Sequence, residues 1–308
     1  MQRILYLTDT HLGASNTDGY FMQPRCLKHW RALLSTLKQF LQENSVDLIL
    51  HGGDLIDTAL SDTINRAADD MRSLGVPVQL CLGNHDLDHL EAINNWLKFA
   101  PDLFPQKHHT GAIRGKHAHI FILAHHYGST NPPHHWNLTF ENAQIPVIDP
   151  TQRASLELFL AASDKPVILA THCPVTDVPP HQLPGPNPFH PPDPQYASYL
   201  LSLADQSAKL PLILTAHNHV NACVPFPRTT ALSTAAFTEA PCSARLITID
   251  AQTITIERIS FAQKIDLNIQ LDPDNAWVCG LPAYEKIVLP LQPPPQADPS
   301  QIPAGFPI

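Results

Sequence analysis

Short apolar runs that end in polar residues recur along the chain. The first, Arg3-Ile4-Leu5-Tyr6-Leu7, predicts a buried strand followed by a polar loop. Similar runs lie at residues 47–51, 76–82, 117–124, 166–170 and 210–214. Residues 24–43 place leucines and Trp30 at three- and four-residue steps, which predicts an amphipathic helix. Further helices are predicted at 61–74, 87–99, 151–163 and 196–203. This alternation predicts an α/β fold with parallel strands.

The second half of the chain is less regular. Residues 178–194 are close to half proline, so they cannot form a helix or a central strand, and we expect a lid or a pocket wall. Alternating apolar residues within 229–260 predict antiparallel strands of a second sheet. The end of the chain contains Pro-Pro-Pro and predicts an extended tail. We therefore expect one domain over residues 1–270 and a tail over 271–308.

Polar groups that can bind metals follow several of the predicted strands. Asp9 and His11 are two residues apart and point to the same side of an extended backbone. Asp54 follows two glycines after the second strand, and the third strand leads into Gly83-Asn84-His85-Asp86. Each motif alone is also common in surface turns. Their recurrence favours one shared site, because α/β sheets place their chemistry at the carboxyl ends of the strands.

Histidines follow the later strands in the same way. His172 comes after the strand at 166–170, and His217 and His219 come after the strand at 210–214. The pair that begins with His125 lacks carboxylates nearby, so we name His125 as a candidate for binding substrate rather than metal. Asn84 and His85 are further candidates for binding substrate, and Asn84 is also a candidate metal ligand.

The candidate ligands are all oxygen or imidazole donors: Asp9, His11, Asp54, Asn84, His172, His217 and His219. They are too many for one catalytic ion that keeps an open position, but they suit two ions that share a carboxylate. Without thiolate ligands, the site accepts manganese, iron, zinc or a mixed pair.

Composition and charge narrow the class of protein, its partners and its cellular compartment. The formal net charge of −9 disfavours a broad nucleic-acid surface, and no apolar run is long enough to cross a membrane. Six cysteines without paired spacing fit reduced thiols, and no signal peptide is visible, so we expect a cytoplasmic protein. The expected partner is a small substrate, with neither stable nucleic acid nor membrane, and the sequence leaves a homodimer open.

The ordered motifs Asp-x-His, Gly-Asp-x-x-Asp, Gly-Asn-His-Asp, His and His-x-His resemble those of the calcineurin-like metallophosphoesterases over residues 1–260. The resemblance implies a four-layer α/β/β/α sandwich, in which helices flank two mixed sheets and a dinuclear metal centre lies at the strand ends.

The resemblance also implies roles for the ligands. One metal would be held by Asp9, His11, Asp54 and His219, and the other by Asp54, Asn84, His172 and His217. Asp54 would bridge the two ions. Ions about 3.5–4 Å apart lower the pKa of a bridging water and clamp phosphate oxygens for in-line attack. His85 would protonate the leaving oxygen, and Asp86 would hold the His85 imidazole in position.

Departures from the family pattern reduce the number of candidate substrate classes. The arginines of the protein phosphatases are replaced by Thr58-Ala59 and Leu87-Asp88, and His85 stands where the lipid-A pathway pyrophosphatases use arginine. The chain is then most similar to the class III cyclic nucleotide phosphodiesterases, which implies hydrolysis of a small diester such as a 3′,5′-cyclic nucleotide. The alternatives are a DNA-repair exonuclease of the same family and a non-catalytic metal-binding scaffold.

Overall fold

The computed structural model describes residues 1–15, 22–124, 126–127, 145–265 and 269–291. Within these residues the strands are β1 (Gln2–Leu7), β2 (Leu48–His51), β3 (Val78–Leu80), β4 (Gly111–Ile113), β5 (His119–Ile122), β6 (His126–Tyr127), β7 (Pro146–Val147), β8 (Val167–Ala170), β9 (Leu212–Thr215), β10 (Ala222–Pro225), β11 (Thr230–Ser233), β12 (Ser243–Ile249), β13 (Thr253–Ser260) and β14 (Lys286–Pro290). The α-helices are α1 (Trp30–Asn44), α2 (Ser61–Arg72), α3 (Ala92–Phe99), α4 (Pro150–Ala162) and α5 (Pro194–Gln206).

The strands form two large mixed sheets. The first sheet has the order β14-β13-β12-β1-β2-β3, in which β1, β2 and β3 are parallel and the other neighbours are antiparallel. The second has the order β10-β11-β9-β8-β5-β4, with parallel pairing from β11 to β5 and an antiparallel strand at each edge. Strands β6 and β7 pair separately. Two mixed sheets flanked by helices confirm the predicted fold class.

Alternation along β1 shows how the layers pack. Ile4 and Tyr6 belong to an apolar cluster between the two sheets, which includes Ile168 of β8. Leu5 and Leu7 point to the opposite face and belong to the cluster that includes the buried residues of the helices. Each sheet thus buries both faces, one against the other sheet and one against helices. This explains why the strands are continuous apolar runs.

The sheet membership of five strands differs from the prediction. Strands β12 and β13 are antiparallel, as expected, but they extend the first sheet because β12 pairs directly with β1. Conversely, β5, β8 and β9, which we expected beside the first three strands, form the second sheet. The alternation pattern identifies a strand but not its partner, because pairing is decided by contacts that are distant in sequence.

Helix boundaries also differ from the predicted ones. A 3₁₀ turn at Leu27–His29 precedes α1, which therefore begins later than residue 24. Helix α5 begins two residues before the predicted start, because the Asp193 carboxylate accepts the backbone N–H groups of Gln195 and Tyr196 and Pro194 occupies the first turn.

The segment assigned to an extended tail is partly folded. Residues 286–290 form β14, which pairs antiparallel with β13 and lies at the edge of the first sheet. This part is therefore integral to the domain, and residues 292–308 lie outside the described residues. Across the described ranges, no helix has both the length and the apolar character that a membrane crossing requires.

Candidate metal centre

The carboxyl ends of strands from both sheets meet at one place. The loops after β1, β2 and β3 come from the first sheet, and those after β8 and β9 come from the second. Each loop delivers at least one of the seven predicted ligands. The site is thus built between two sheet edges, rather than along the single edge that the sequence suggested.

One group of ligand atoms comes from Asp9, His11 and His219, whose donor atoms all lie within 4.8 Å of one another. The Nε2 atoms of His11 and His219 are 3.3 Å apart, and His219 Nε2 lies 3.5 Å from Asp9 Oδ1. All three residues are buried. Two imidazoles and one carboxylate that converge on a single point form a donor set suited to a divalent transition metal.

A second group comes from Asp54, His172 and His217, whose donor atoms also lie within 4.8 Å of one another. The amide oxygen of Asn84 joins them, 3.1 Å from His172 Nε2 and 2.8 Å from His217 Nδ1. Asn84 is buried and adds an oxygen donor without negative charge.

Asp54 lies between the two groups. Its Oδ2 atom is 3.3 Å from His172 Nε2 in the second group and 3.8 Å from His11 Nε2 in the first. Its Oδ1 atom accepts the backbone N–H of His85 at 2.8 Å, which fixes the carboxylate plane. This is the position that a bridging carboxylate requires.

Asp9 Oδ1 provides a direct test of whether cations fit. The atom is buried and has no hydrogen-bond partner, whereas Asp9 Oδ2 accepts the hydroxyl of Thr8 at 2.9 Å. An orphaned buried carboxylate oxygen is costly unless it binds a cation or a proton. Because this oxygen faces the imidazoles of His172 and His219, at 4.0 and 3.5 Å, the residues present fit metal binding.

Three imidazoles are oriented by groups behind them. The Nδ1 atom of His172 donates to the carbonyl of Gly52 at 2.9 Å, and that of His219 donates to Glu239 Oε1 at 2.6 Å. The Nδ1 atom of His11 donates to the Asp57 carboxylate at 3.2 Å. In each case the opposite nitrogen, Nε2, is left facing the site, which is the usual arrangement behind a metal-binding histidine.

Glu239 is a functional residue that the sequence analysis missed. It is 4% exposed, and its Oε2 atom accepts the backbone N–H groups of Met22 and Gln23 at 3.1 and 3.2 Å. Its position within the apolar stretch 235–242 was the available signal, because a glutamate is rarely buried without a partner.

The backbone of the site is held in an unusual conformation. Five of the seven predicted ligands have positive φ angles: Asp9 (50°), His11 (46°), Asp54 (51°), His217 (71°) and His219 (54°). The left-handed region costs a residue other than glycine about 1–2 kcal/mol. Such strain persists only where the surrounding structure enforces it, and it is typical of functional sites.

Two glycines allow the loops to approach closely. A Cβ atom on Gly53 would lie 2.4 Å from His172 Nδ1, and one on Gly83 would lie 2.3 Å from Asp54 Oδ1. Gly53 also has a φ of +110°. The glycines that precede two of the motifs are therefore required by packing around the ligands.

Without bound cations, protons on histidines balance the buried carboxylates. Burial lowers the pKa of His172, but the charge of Asp54 outweighs this effect and raises the pKa to about 9. Burial opposes the charge of His219 as well, yet Glu239 holds its pKa well above the usual range. Burial lowers the pKa of His217 to about 3, so this imidazole is neutral. Metal binding must therefore displace protons from His172 and His219.

His85 lies at the accessible side of the first group. Its ring is 4.7 Å from that of His11, and its side chain is 23% exposed. Its Nδ1 atom lies 3.1 Å from the Asp57 carbonyl oxygen and 3.4 Å from the Asp57 carboxylate. Asp57 thus contacts both the predicted general acid, His85, and the predicted ligand His11.

The role predicted for Asp86 needs correction. Its carboxylate accepts the backbone N–H groups of Gly83, Leu55 and Ile56 at 3.0, 3.3 and 3.2 Å, so it fastens the loop after β3 to the loop after β2. Burial and the nearby charge of Asp54 raise its pKa to about 8. The carboxylate beside the His85 imidazole is that of Asp57. A neighbour in sequence is not the neighbour in space here, because residues 85–87 form a 3₁₀ turn.

The structure therefore brings together all seven predicted ligands, with His85 beside them. His125, the additional candidate for substrate binding, lies outside the described residues.

Comparison with solved structures shows the same fold in several phosphatases. A dimetal phosphatase from Danio rerio is 12% identical, with a TM-score of 0.67 over 94% of this chain and 99% of that one. A purple acid phosphatase, PPD1, from yellow lupin (Lupinus luteus) seeds is 14% identical, with a TM-score of 0.52 over 88% of this chain and 52% of that one.

The fold also occurs in a protein described as an anchor. GAP50, the anchor in the inner membrane complex of Plasmodium, is 12% identical, with a TM-score of 0.54 over 97% of this chain and 92% of that one. At these identities the likeness concerns the fold alone. A search of curated protein sequences finds no match.

The sequence itself carries a more specific signal. A family model described as calcineurin-like phosphoesterase matches residues 2–221, which include β1 to β9 and all seven predicted ligands. Family and site together support a metal-dependent hydrolase that acts on phosphoric esters. The chain belongs to the calcineurin-like phosphoesterase family.

Proposed function

We propose that the protein is a phosphodiesterase that hydrolyses a small diester, such as a 3′,5′-cyclic nucleotide, with two bound metal ions. The observation that carries this proposal is the pair of adjacent donor groups that share Asp54, with His85 at their accessible side. The chemistry of phosphate esters needs an activated water, positive charge on the phosphate oxygens and a proton for the leaving group.

Two bound ions would supply the activated water and the positive charge. Residues of the chain provide the proton for the leaving group and hold the loops of the site in place. His85 holds a proton within reach of the site and delivers it to the leaving oxygen, while the Asp57 carbonyl fixes the ring by accepting from Nδ1 at 3.1 Å. Its other nitrogen, Nε2, is then the one that would donate to the leaving oxygen. Asp86 keeps the loop that carries Asn84 and His85 in place by binding three backbone N–H groups.

The absence of cationic side chains in the key loops favours a diester over a monoester. Neither residues 52–60 after β2 nor residues 81–91 after β3 contain lysine or arginine. A monoester carries up to two negative charges near neutral pH and benefits from such side chains, whereas a diester carries one charge. The neutral ligand Asn84 does not discriminate between the two classes of ester, because leaving out a carboxylate reduces the repulsion of any anionic phosphate.

The metals themselves follow from the donor types. No cysteine belongs to a candidate ligand group in the described part of the chain, so manganese, iron, zinc or a mixed pair suits the site better than a thiolate-selective metal. All six cysteines are free thiols, which supports a reducing compartment such as the cytoplasm.

Two other functions remain as outcomes of the test. A DNA-repair exonuclease would need to hold a polyanion, which the net charge of −9 disfavours. A non-catalytic scaffold would bind metal without turnover; among the structural neighbours, GAP50 is described as an anchor. The complete set of seven donors and the presence of His85 favour catalysis.

The test is turnover of four substrates by the manganese-supplemented protein: 3′,5′-cyclic AMP, bis-p-nitrophenyl phosphate, p-nitrophenyl phosphate and linear DNA. Asn84→Ala serves as the control for metal-dependent activity. Cleavage of cyclic AMP and the generic diester, without cleavage of DNA, supports the proposal. Cleavage of the generic diester alone removes the cyclic nucleotide assignment. Salt-sensitive cleavage of DNA favours the exonuclease, and bound metal without any turnover favours the scaffold.

A further inference from the structure

The proline-rich segment 178–193 forms a wall beside the metal centre. It follows β8 and the loop that carries His172, and it ends at Asp193, the N-cap of α5. Seven of its sixteen residues are proline. Because each proline fixes φ, the segment loses less conformational entropy on ordering than an ordinary loop of the same length.

Two sets of contacts fasten this segment to residues near the ligands. The side-chain amide of Gln182, which is 5% exposed, donates to the carbonyls of Asn221 and Trp277, both at 2.9 Å. Val178 packs in an apolar cluster with Val220 and Val278. Val220 and Asn221 directly follow the predicted ligand His219. The segment is therefore anchored as a wall rather than hinged as a lid.

The anchored segment places His190 at the site. The ring of the preceding residue, Phe189, packs edge-to-face on Trp277 with centroids 4.8 Å apart. The imidazole of His190 then lies 5.8 Å from that of His217, with the rings nearly perpendicular at 88°. His190 has a φ of 51° and is solvent-exposed. A positive φ at a residue other than glycine is again typical of a functional position.

His85 and His190 flank different ligand groups. His85 contacts His11 of the first group, and His190 contacts His217 of the second. In hydrolysis of a diester, water supplies the oxygen of the new P–O bond, one ester P–O bond breaks, and the departing oxygen takes up a proton. The second ester bond stays intact. His85 is assigned to the departing oxygen, so a group beside the other ligands is available to the ester group that remains.

We propose that His190 contacts the retained ester group of the substrate and thereby favours phosphodiesters over phosphomonoesters. The inference rests on the proposed phosphodiesterase function. An imidazole N–H can donate to an ester or phosphoryl oxygen, and its ring can pack against the organic substituent. A monoester has no retained substituent, so it gains nothing from this contact.

The first test compares kcat/KM for bis-p-nitrophenyl phosphate and p-nitrophenyl phosphate in the metal-loaded enzyme. The variants are His190→Ala, His190→Asn and, as a matched control, His181→Asn, which alters an exposed histidine of the same segment. Asparagine tolerates positive φ and keeps an N–H donor, so it separates backbone strain from loss of the imidazole. We expect the diester-to-monoester ratio to fall about three- to tenfold in His190→Ala, the value of one neutral hydrogen bond. We expect a smaller fall in His190→Asn and none in the control.

The second test measures binding without turnover. In a His85→Ala background, isothermal titration calorimetry gives the affinity for bis-p-nitrophenyl phosphate with and without His190→Ala, and metal content is measured on both proteins. We expect weaker binding by a similar factor at unchanged metal content. A diester-to-monoester ratio equal to that of His181→Asn, together with an affinity that His190→Ala leaves unchanged in the His85→Ala background, would overturn the inference while leaving the phosphodiesterase assignment intact. Failure of the wild type to hydrolyse any diester would overturn that assignment, and the calorimetry would still decide the role of His190.

Discussion

Replacing Glu239 by glutamine is the substitution that most sharply tests how the ligands are held. Glu239 accepts hydrogen bonds on both sides, from His219 Nδ1 at 2.6 Å and from the backbone N–H groups of Met22 and Gln23. A glutamine has nearly the same shape but only one accepting oxygen. Whichever way its amide is turned, an NH₂ group must face either the imidazole N–H or the backbone N–H groups.

The expected loss of metal affinity follows from the hydrogen bond and the charge that glutamine does not provide. A hydrogen bond to a charged group contributes about 1.5–3 kcal/mol, and loss of the carboxylate also removes the charge that orients the His219 ring. Second-layer substitutions of this kind weaken metal binding by about 10–100-fold, which is about 1.4–2.8 kcal/mol. Because His219 belongs to the first group, the affinity for one of the two ions should fall and the affinity for the other should stay the same.

The assay is calorimetric titration of the metal-stripped protein with Mn²⁺, together with the metal content after dialysis. Glu257→Gln is the matched control, since Glu257 is 39% exposed and pairs with Lys286 on the edge strand. We expect Glu239→Gln to lose affinity for one ion and the control to behave as wild type. If Glu239→Gln bound both ions as tightly as Glu257→Gln does, the view that the buried carboxylate orients His219 would be refuted.

Three further predictions test other parts of the site. The raised pKa of His172, about 9, keeps this imidazole protonated at pH 7 without metal, so metal binding should release protons and become tighter as the pH rises. Calorimetry in buffers of different ionisation enthalpy measures the proton release. Metal binding without proton release would contradict the prediction. Asp57→Asn keeps the backbone carbonyl that accepts from His85 Nδ1 but removes the charge of the carboxylate 3.4 Å from the same atom, so kcat should fall about tenfold; an unchanged rate would mean that this carboxylate does not help to position His85. Gly53→Ala should abolish metal binding and lower Tm. The control Gly75→Ala, also at positive φ but with no atom within 4 Å of the added Cβ, should lower the free energy of unfolding by only about 1 kcal/mol. Equal losses of stability and metal binding in the two variants would mean that close packing against His172 is unimportant.

The convergence of the seven candidate ligands could be predicted because each lies within a few residues of the end of an apolar strand. In an α/β fold such residues meet at the carboxyl ends of the strands. Asp54, for example, follows β2 and two glycines, and the structure places its carboxylate between both donor groups. The fold class and the family could be predicted for the same reason, since five motifs occur in a fixed order and each follows a strand.

The parts that could not be predicted depend on contacts between distant residues. The pattern of β12 identifies a strand but does not show that it pairs with β1, more than 200 residues away. The choice between Asp57 and Asp86 as the partner of His85 depends on the turn after Asn84, which neither spacing nor composition reveals. Glu239 belongs to no motif; its apolar sequence neighbours indicate burial, but only the structure shows that it is buried beside His219.

In our proposal, two metal ions held by these residues make the protein a phosphodiesterase. The most direct measurement is hydrolysis of bis-p-nitrophenyl phosphate while the metal-stripped protein is titrated with Mn²⁺ and bound metal is counted. The two donor groups predict that activity is absent at first and saturates when two ions are bound per chain. If both ions bind and no diester is hydrolysed at any loading, the claim is contradicted and the site holds metal for another purpose.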